Sequence, residues 1–219
     1  MHSSHGLSNT IAWSRTNGGA QHAIEGNISV SGHAAAFATA LLGLADEQAL
    51  TELAASVESS EGVVFVPALA GLGAPHWQSG ARGTISGMTL GTRPAHVARA
   101  TLEAIALQIG DVLDAIAADL GIDLPELSID GGAARNALLA QLLADLTGRA
   151  IVRPEIAEAS ALGVARMAAY ALGLADTGTP AAADRFEPQL AADKRAAIRS
   201  DWREMLAEVV ARANRAAPG

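Results

Sequence analysis

The chain has 219 residues, half of them apolar and 17% charged, with a formal net charge of −8. That charge argues against a nucleic-acid or anionic-membrane surface, which needs clustered Lys and Arg, while zero cysteines exclude disulfides and thiolate metal sites and fit a reducing, cytoplasmic setting. The length can bury a real core, no apolar run reaches the length of a membrane span, and the first six residues have neither the basic start nor the apolar centre of a secretory signal.

Taken in chain order, the opening segment with His2 and His5 reads as a frayed terminus rather than a metal pair. Residues 7–13 and 22–30 have strand character, and Asn17-Gly18-Gly19 between them predicts a hairpin turn. Gly32 opens an Ala-rich helix to about Leu42, and residues 45–56 read as a second helix, followed by a turn over 58–62. Residues 63–69 are a continuous apolar run of strand length, which implies burial on both faces.

The segment 71–77 is too glycine-rich for regular structure, and 84–88 is a short strand. Thr92 and Pro94 are start signals for a long helix over about 95–118, with Leu102, Ile105, Ile109, Val112, Leu113 and Ile116 at near-helical spacing.

The most informative run follows. Leu127-Ser128-Ile129-Asp130 leads into Gly131-Gly132, and the stretch after Asn136 places Leu138, Leu139, Leu142, Leu143 and Leu146 on one helix face. This reads as a strand, a tight turn and a helix start. A glycine pair there lets a ligand approach the backbone without meeting a Cβ, and unpaired helix amides would face an anion such as a nucleotide phosphate. A tight strand-to-helix connection with no ligand has the same local pattern. Beyond it come a strand at 150–154 ended by Pro154, a helix from Ser160 to about Leu172, a linker at 176–183, and a C-terminal helix carrying Ile198, Trp202, Met205, Leu206 and Val209 on one face. The order predicts an α/β fold, antiparallel strands first and parallel strands later, flanked by helices.

Several runs together resemble one family. Gly83-Thr84-Ile85-Ser86-Gly87-Met88, a seven-residue spacer and His96-Val97-Ala98-Arg99-Ala100-Thr101-Leu102-Glu103 are similar to the C-terminal signature of the FGGY carbohydrate kinases. Ala23-Ile24-Glu25-Gly26, Phe65-Val66-Pro67-Ala68, Gly71-Leu72-Gly73-Ala74-Pro75-His76-Trp77, Asp130-Gly131-Gly132-Ala133, Arg153-Pro154-Glu155 and Ala161-Leu162-Gly163 resemble the glycerol-kinase branch in the same order, over about residues 6–209. The resemblance implies a single actin-like ATPase (ribonuclease H-like) domain, the nucleotide-holding C-terminal half of a two-lobed kinase. It implies ATP or ADP with Mg²⁺ as ligand, and Gly32, Gly131, Gly132 and Asn136 as the residues that contact the nucleotide.

The departures are equally specific. Where that branch has a glutamine four residues after the first of these glycines, this chain has Ala36, and Phe37-Ala38-Thr39-Ala40 replaces an aromatic-Leu-Arg-Asp run. The family's catalytic carboxylate, phosphate clamp and polyol-binding residues have no counterpart in the 219 residues, and the alignment begins at the second strand of the domain. Asp130 reads as a capping or strand-end residue, Glu25 and Glu103 as structural, and His76 and His96 as unrelated to one another. No catalytic or metal residue is therefore assigned. The expected partners are an adenine nucleotide and either an N-terminal kinase lobe or further copies of the chain, with a non-catalytic remnant that keeps the fold as the alternative.

Overall fold

In chain order the protein, a computed structural model describing residues 3–14, 18–155, 159–174 and 182–216, runs β1 (Ser8–Ser14), β2 (Ala20–Glu25), α1 (Gly32–Leu41), α2 (Glu47–Ala55), β3 (Val64–Val66), β4 (Thr84–Ser86), α3 (Pro94–Leu120), β5 (Glu126–Ser128), a 3₁₀ turn (Gly132–Arg135), α4 (Ala137–Thr147), β6 (Ala150–Pro154), α5 (Ala159–Ala171), β7 (Ala182–Phe186) and α6 (Ala192–Ala216). Every predicted helix is present. The hairpin pairs β1 with β2 antiparallel, Ser14 facing Ala20; Asn17 of the predicted turn, and the linker residues 176–181, lie outside the described residues.

The predicted order of antiparallel then parallel strands is found, spread over three small sheets: β1-β2, β3-β4 and β5-β6-β7. β5 and β6 are parallel, whereas β7 runs antiparallel to β6. β7 is absent from the sequence reading, which places a linker to residue 183. Its Ala-Ala-Asp-Arg-Phe shows no alternation of apolar and polar residues to mark a strand. Three strands are shorter than expected, among them β4, which ends at Ser86 before Gly87. β2 ends at Glu25 because Gly26 follows, and β3 stops at Val66 because Pro67 has no amide to continue a ladder.

The core is organised around α3. Pro94 starts it with a preset φ and no amide to leave unpaired. From Ala98 to Gln108 nearly every residue is buried, including Ala98, Ala100, Leu102, Ala104, Ile105, Ala106 and Leu107. The apolar stripe seen in the sequence is only half of this surface. Alanines fill the other half, and their small side chains let α1, α2 and α4 pack against the same helix. α6 closes the far side through Trp202, Met205, Leu206 and Val209, which join the same apolar cluster as α3 and β3.

The hairpin is bolted on by the glycine-rich loop. The amide of Ala74 donates to Asn27 O at 2.9 Å, and the Trp77 indole donates to Gly6 O at 2.5 Å. A small cluster of Leu7, Ala74, Val112 and Ala115, with Ile24, Ile28 and Ile116 packed around it, joins the hairpin to the last turns of α3.

Where the terminus proposed to fray is described, from Ser3 to His5, it is pinned. The hydroxyl of Ser3 donates to Asp119 Oδ2, the amide of Ser4 donates to Oδ1 at 2.9 Å, and His5 Nδ1 lies 2.7 Å from Oδ1. These bonds, Ser3 foremost and His5 next, hold the Asp119 carboxyl well below the usual carboxylate range. A depressed carboxylate contributes stability above its unfolded value of about 3.9 and loses it as pH falls further. We expect Asp119→Asn to lower the melting temperature at pH 7 and to shrink the drop seen between pH 7 and pH 3, measured by circular dichroism; an unchanged acid dependence would contradict the clamp.

Candidate functional site

The glycine turn lies at the end of β5, whose pairing with β6 extends one residue further through Ile129 N to Val152 O at 2.9 Å. Gly131 then adopts φ 81° and ψ −176°, a region that side-chain-bearing residues avoid. Contrary to expectation, α4 does not start at the turn. Asn136 caps α4, and a cap residue holds extended backbone, here φ −76° and ψ 102°. The residues before it therefore cannot join α4. They close separately as a 3₁₀ turn, with Ala134 N on Gly131 O at 3.2 Å and Asn136 N on Ala133 O at 3.1 Å.

Asn136, a nucleotide contact in the family resemblance, is held on two sides. Its Oδ1 accepts from Leu139 N at 3.0 Å, and its Nδ2 donates to Thr51 Oγ1 at 2.9 Å, while Thr51 itself donates to Glu47 O at 2.9 Å. One N–H and one oxygen lone pair of the carboxamide are left for a guest. No local pattern marks Thr51, which lies 85 positions from Asn136 and meets it only through the packing of α2.

The turn itself is uncovered. A Cβ placed on Gly131 or Gly132 meets no heavy atom within 4 Å, and Gly132 is exposed. Gly132 has no positive φ, so neither backbone conformation nor neighbouring atoms account for a glycine there. Among the described residues, the amides of Gly132 and Ala133 carry no hydrogen bond. Gly32 is likewise exposed with open space beside it, at the first position of α1, and Ala36 is exposed one turn later. α1 packs on α2, and α2 carries Thr51, which bonds Asn136.

The remaining candidates are spread over several elements. Asp130 Oδ2 accepts from Ala159 N at 3.2 Å, capping the start of α5. His76 Nε2 lies 3.3 Å from Asp111 Oδ2, whereas His96 is buried in a capping arrangement with Arg93 at the head of α3. Glu103 is buried and pairs with Arg99 at 2.9 Å, and Glu25 is exposed at the end of β2. No group of three or more His, Asp or Glu side chains gathers around a common point among the described residues.

A sequence model of the FGGY family of carbohydrate kinases, C-terminal domain, matches residues 1–172. The chain belongs to the FGGY family. Within it, the glycerol kinase of Bordetella parapertussis is 48% identical over 211 residues, covering 92% of this chain and 42% of that protein. The glycerol kinase of Dechloromonas aromatica is 46% identical over 208 residues, with 92% and 41% covered. This FGGY chain thus spans about 42% of the length of such relatives. Its fold is similar to a crystal structure of Plasmodium falciparum glycerol kinase with ADP, at a TM-score of 0.85 and 29% identity over 95% of this chain and 43% of that one. A xylulose kinase from Lactobacillus acidophilus shares the fold at a TM-score of 0.73 and 22% identity, over 86% and 39% of the two chains. The FGGY match ends at residue 172, yet both glycerol kinases align further, and α6 packs into the core, so the fold extends beyond the matched segment.

Proposed function

We propose that this chain is the nucleotide-holding portion of a kinase that moves the γ-phosphoryl group of ATP to a hydroxyl of glycerol or a related polyol or sugar, and that its nucleotide site is built from Gly32, Gly131, Gly132 and Asn136. The observation that carries the reading is the uncovered glycine turn, with unbonded amides at Gly132 and Ala133, in a fold shared with a glycerol kinase crystallised with ADP. Bare amides on an exposed turn suit a phosphate or ribose oxygen, and the remaining N–H and lone pair of Asn136 suit the edge of a purine. Mg²⁺ would ride on the nucleotide's phosphates, as it does where few carboxylates are offered.

Phosphoryl transfer also needs a carboxylate near the attacking hydroxyl and an in-line clamp on the phosphate. Asp130 is committed to the head of α5 and Glu103 to Arg99. We therefore infer that the 219 residues alone bind nucleotide without turning it over, and that base, clamp and acceptor pocket come from a lobe outside them. Ala36 favours a second reading, a module that keeps the fold but not the ligand. Its methyl group cannot make an amide contact, a loss of about 1 kcal/mol for one neutral hydrogen bond. Calorimetric titration with ADP, beside a coupled ADP-release assay with ATP and glycerol, tests both. We expect saturable ADP binding and no turnover; no binding would support the remnant, and turnover above background would overturn the inactivity.

A further inference from the structure

We infer that Arg153 is a positioning residue for the glycine turn, acting from a strand the sequence does not connect to it. A glycine pair gives the turn its open approach but also leaves its backbone free to wander. Something outside must fix it before a guest arrives, because ordering a loop on binding costs affinity.

Arg153 has the geometry to do so. From the middle of the β5-β6-β7 sheet, its Nη1 donates to Ala134 O at 2.8 Å and to Arg135 O at 3.2 Å, two main-chain carbonyls at the end of the 3₁₀ turn. The other side of the guanidinium is held in turn. Nε and Nη2 donate to Asp184 Oδ2 at 3.1 and 2.7 Å, and the group lies over the Phe186 ring at 5.3 Å from its centre. Asp184 pairs directly with Arg153 in the β6-β7 register, so the strand pairing itself aims the fork at the turn. The next residue, Asn136, is held by Thr51 of α2. Among the described residues the segment is thus braced at its end, while the amides of Gly132 and Ala133 stay unbonded. A planar fork is required: a lysine ammonium is a single point on a flexible stem and cannot hold Asp184 and two carbonyls together.

This role rests on the nucleotide reading above, and the test separates the two. ADP titration of the chain is compared with Arg153→Met, Arg153→Lys and the control Arg185→Met. Arg185 lies beside Asp184 on β7 and pairs with Glu126 and Glu187, so its loss weakens the same sheet without touching the turn. We expect Arg153→Met to weaken ADP binding about tenfold, as ordering costs of this kind allow. Arg153→Lys should recover only part of that loss, and Arg185→Met should bind like the unmodified chain even where its melting temperature falls as far. Equal ADP affinity in Arg153→Met and the unmodified chain would overturn the role while leaving the site standing. Equal losses in the Arg153 and Arg185 variants would make the effect one of general stability and also overturn it. No binding by the unmodified chain would remove the nucleotide reading and this role with it.

Discussion

Trp202→Ala is expected to lower the unfolding free energy by about 3–5 kcal/mol, the usual range for deleting a buried aromatic. Trp202 is 1% exposed, and its indole N–H donates to Asp111 Oδ2 at 2.8 Å, so truncation leaves both a cavity and a carboxylate short of a donor. Asp111 would keep His76 at 3.3 Å and Arg199 at 3.9 Å, neither as short as the bond that is lost. Trp202→Phe separates the two contributions. It retains most of the apolar volume and should cost about 1–3 kcal/mol, the range for stranding a buried polar group. Urea denaturation followed by circular dichroism reads both. Domains of this kind hold about 5–15 kcal/mol in total, so the alanine variant should unfold at a clearly lower urea concentration. A loss below about 1 kcal/mol, the size of one net hydrogen bond, would mean that α6 is an appendage rather than part of the core.

Gly132→Val should do the reverse, sparing the fold and removing the ligand. No heavy atom lies within 4 Å of a Cβ at Gly132, and its φ is not positive, so the folded chain has room for the side chain. The melting temperature should shift by only a few degrees. The valine would instead stand where a nucleotide must approach the Gly132 and Ala133 amides. Overfilling a close contact costs about 1–3 kcal/mol, or roughly ten- to a hundredfold in affinity. Gly131→Val is the contrasting variant. Gly131 holds φ 81°, so a side chain there strains the backbone by about 1–3 kcal/mol even with no ligand present. Stability lost in one variant and affinity lost in the other would separate the two glycines. ADP binding to Gly132→Val at full strength would move the site elsewhere.

Much of this arrangement is legible in the sequence because it depends on local rules. Pro94 at a helix start, leucines repeating along one face after Asn136, and a glycine pair after a short apolar strand each act over a few residues. The remainder depends on contacts that no window spans. Asn136 reads as a purine contact, but its bond to Thr51, 85 positions away, appears only once α2 and α4 both pack on α3. Arg153 attracts notice only as part of an Arg-Pro-Glu run, because its partners Asp184 and Phe186 lie on a strand whose alanine-rich sequence shows no alternation. The clamp of Ser3, Ser4 and His5 on Asp119 crosses more than a hundred positions. α3 looks amphipathic because alanine counts weakly in a periodicity, although packing buries those alanines as fully as the leucines.

Hydrogen–deuterium exchange of the 219-residue chain with and without ADP tests the central claim most directly. The account predicts that added ADP slows exchange at the amides of Gly132 and Ala133, with a second protected stretch at the start of α1 around Gly32. ADP protection confined instead to the hollow lined by Ser60, Phe65, Glu103 and Trp202, or absent altogether, would contradict it.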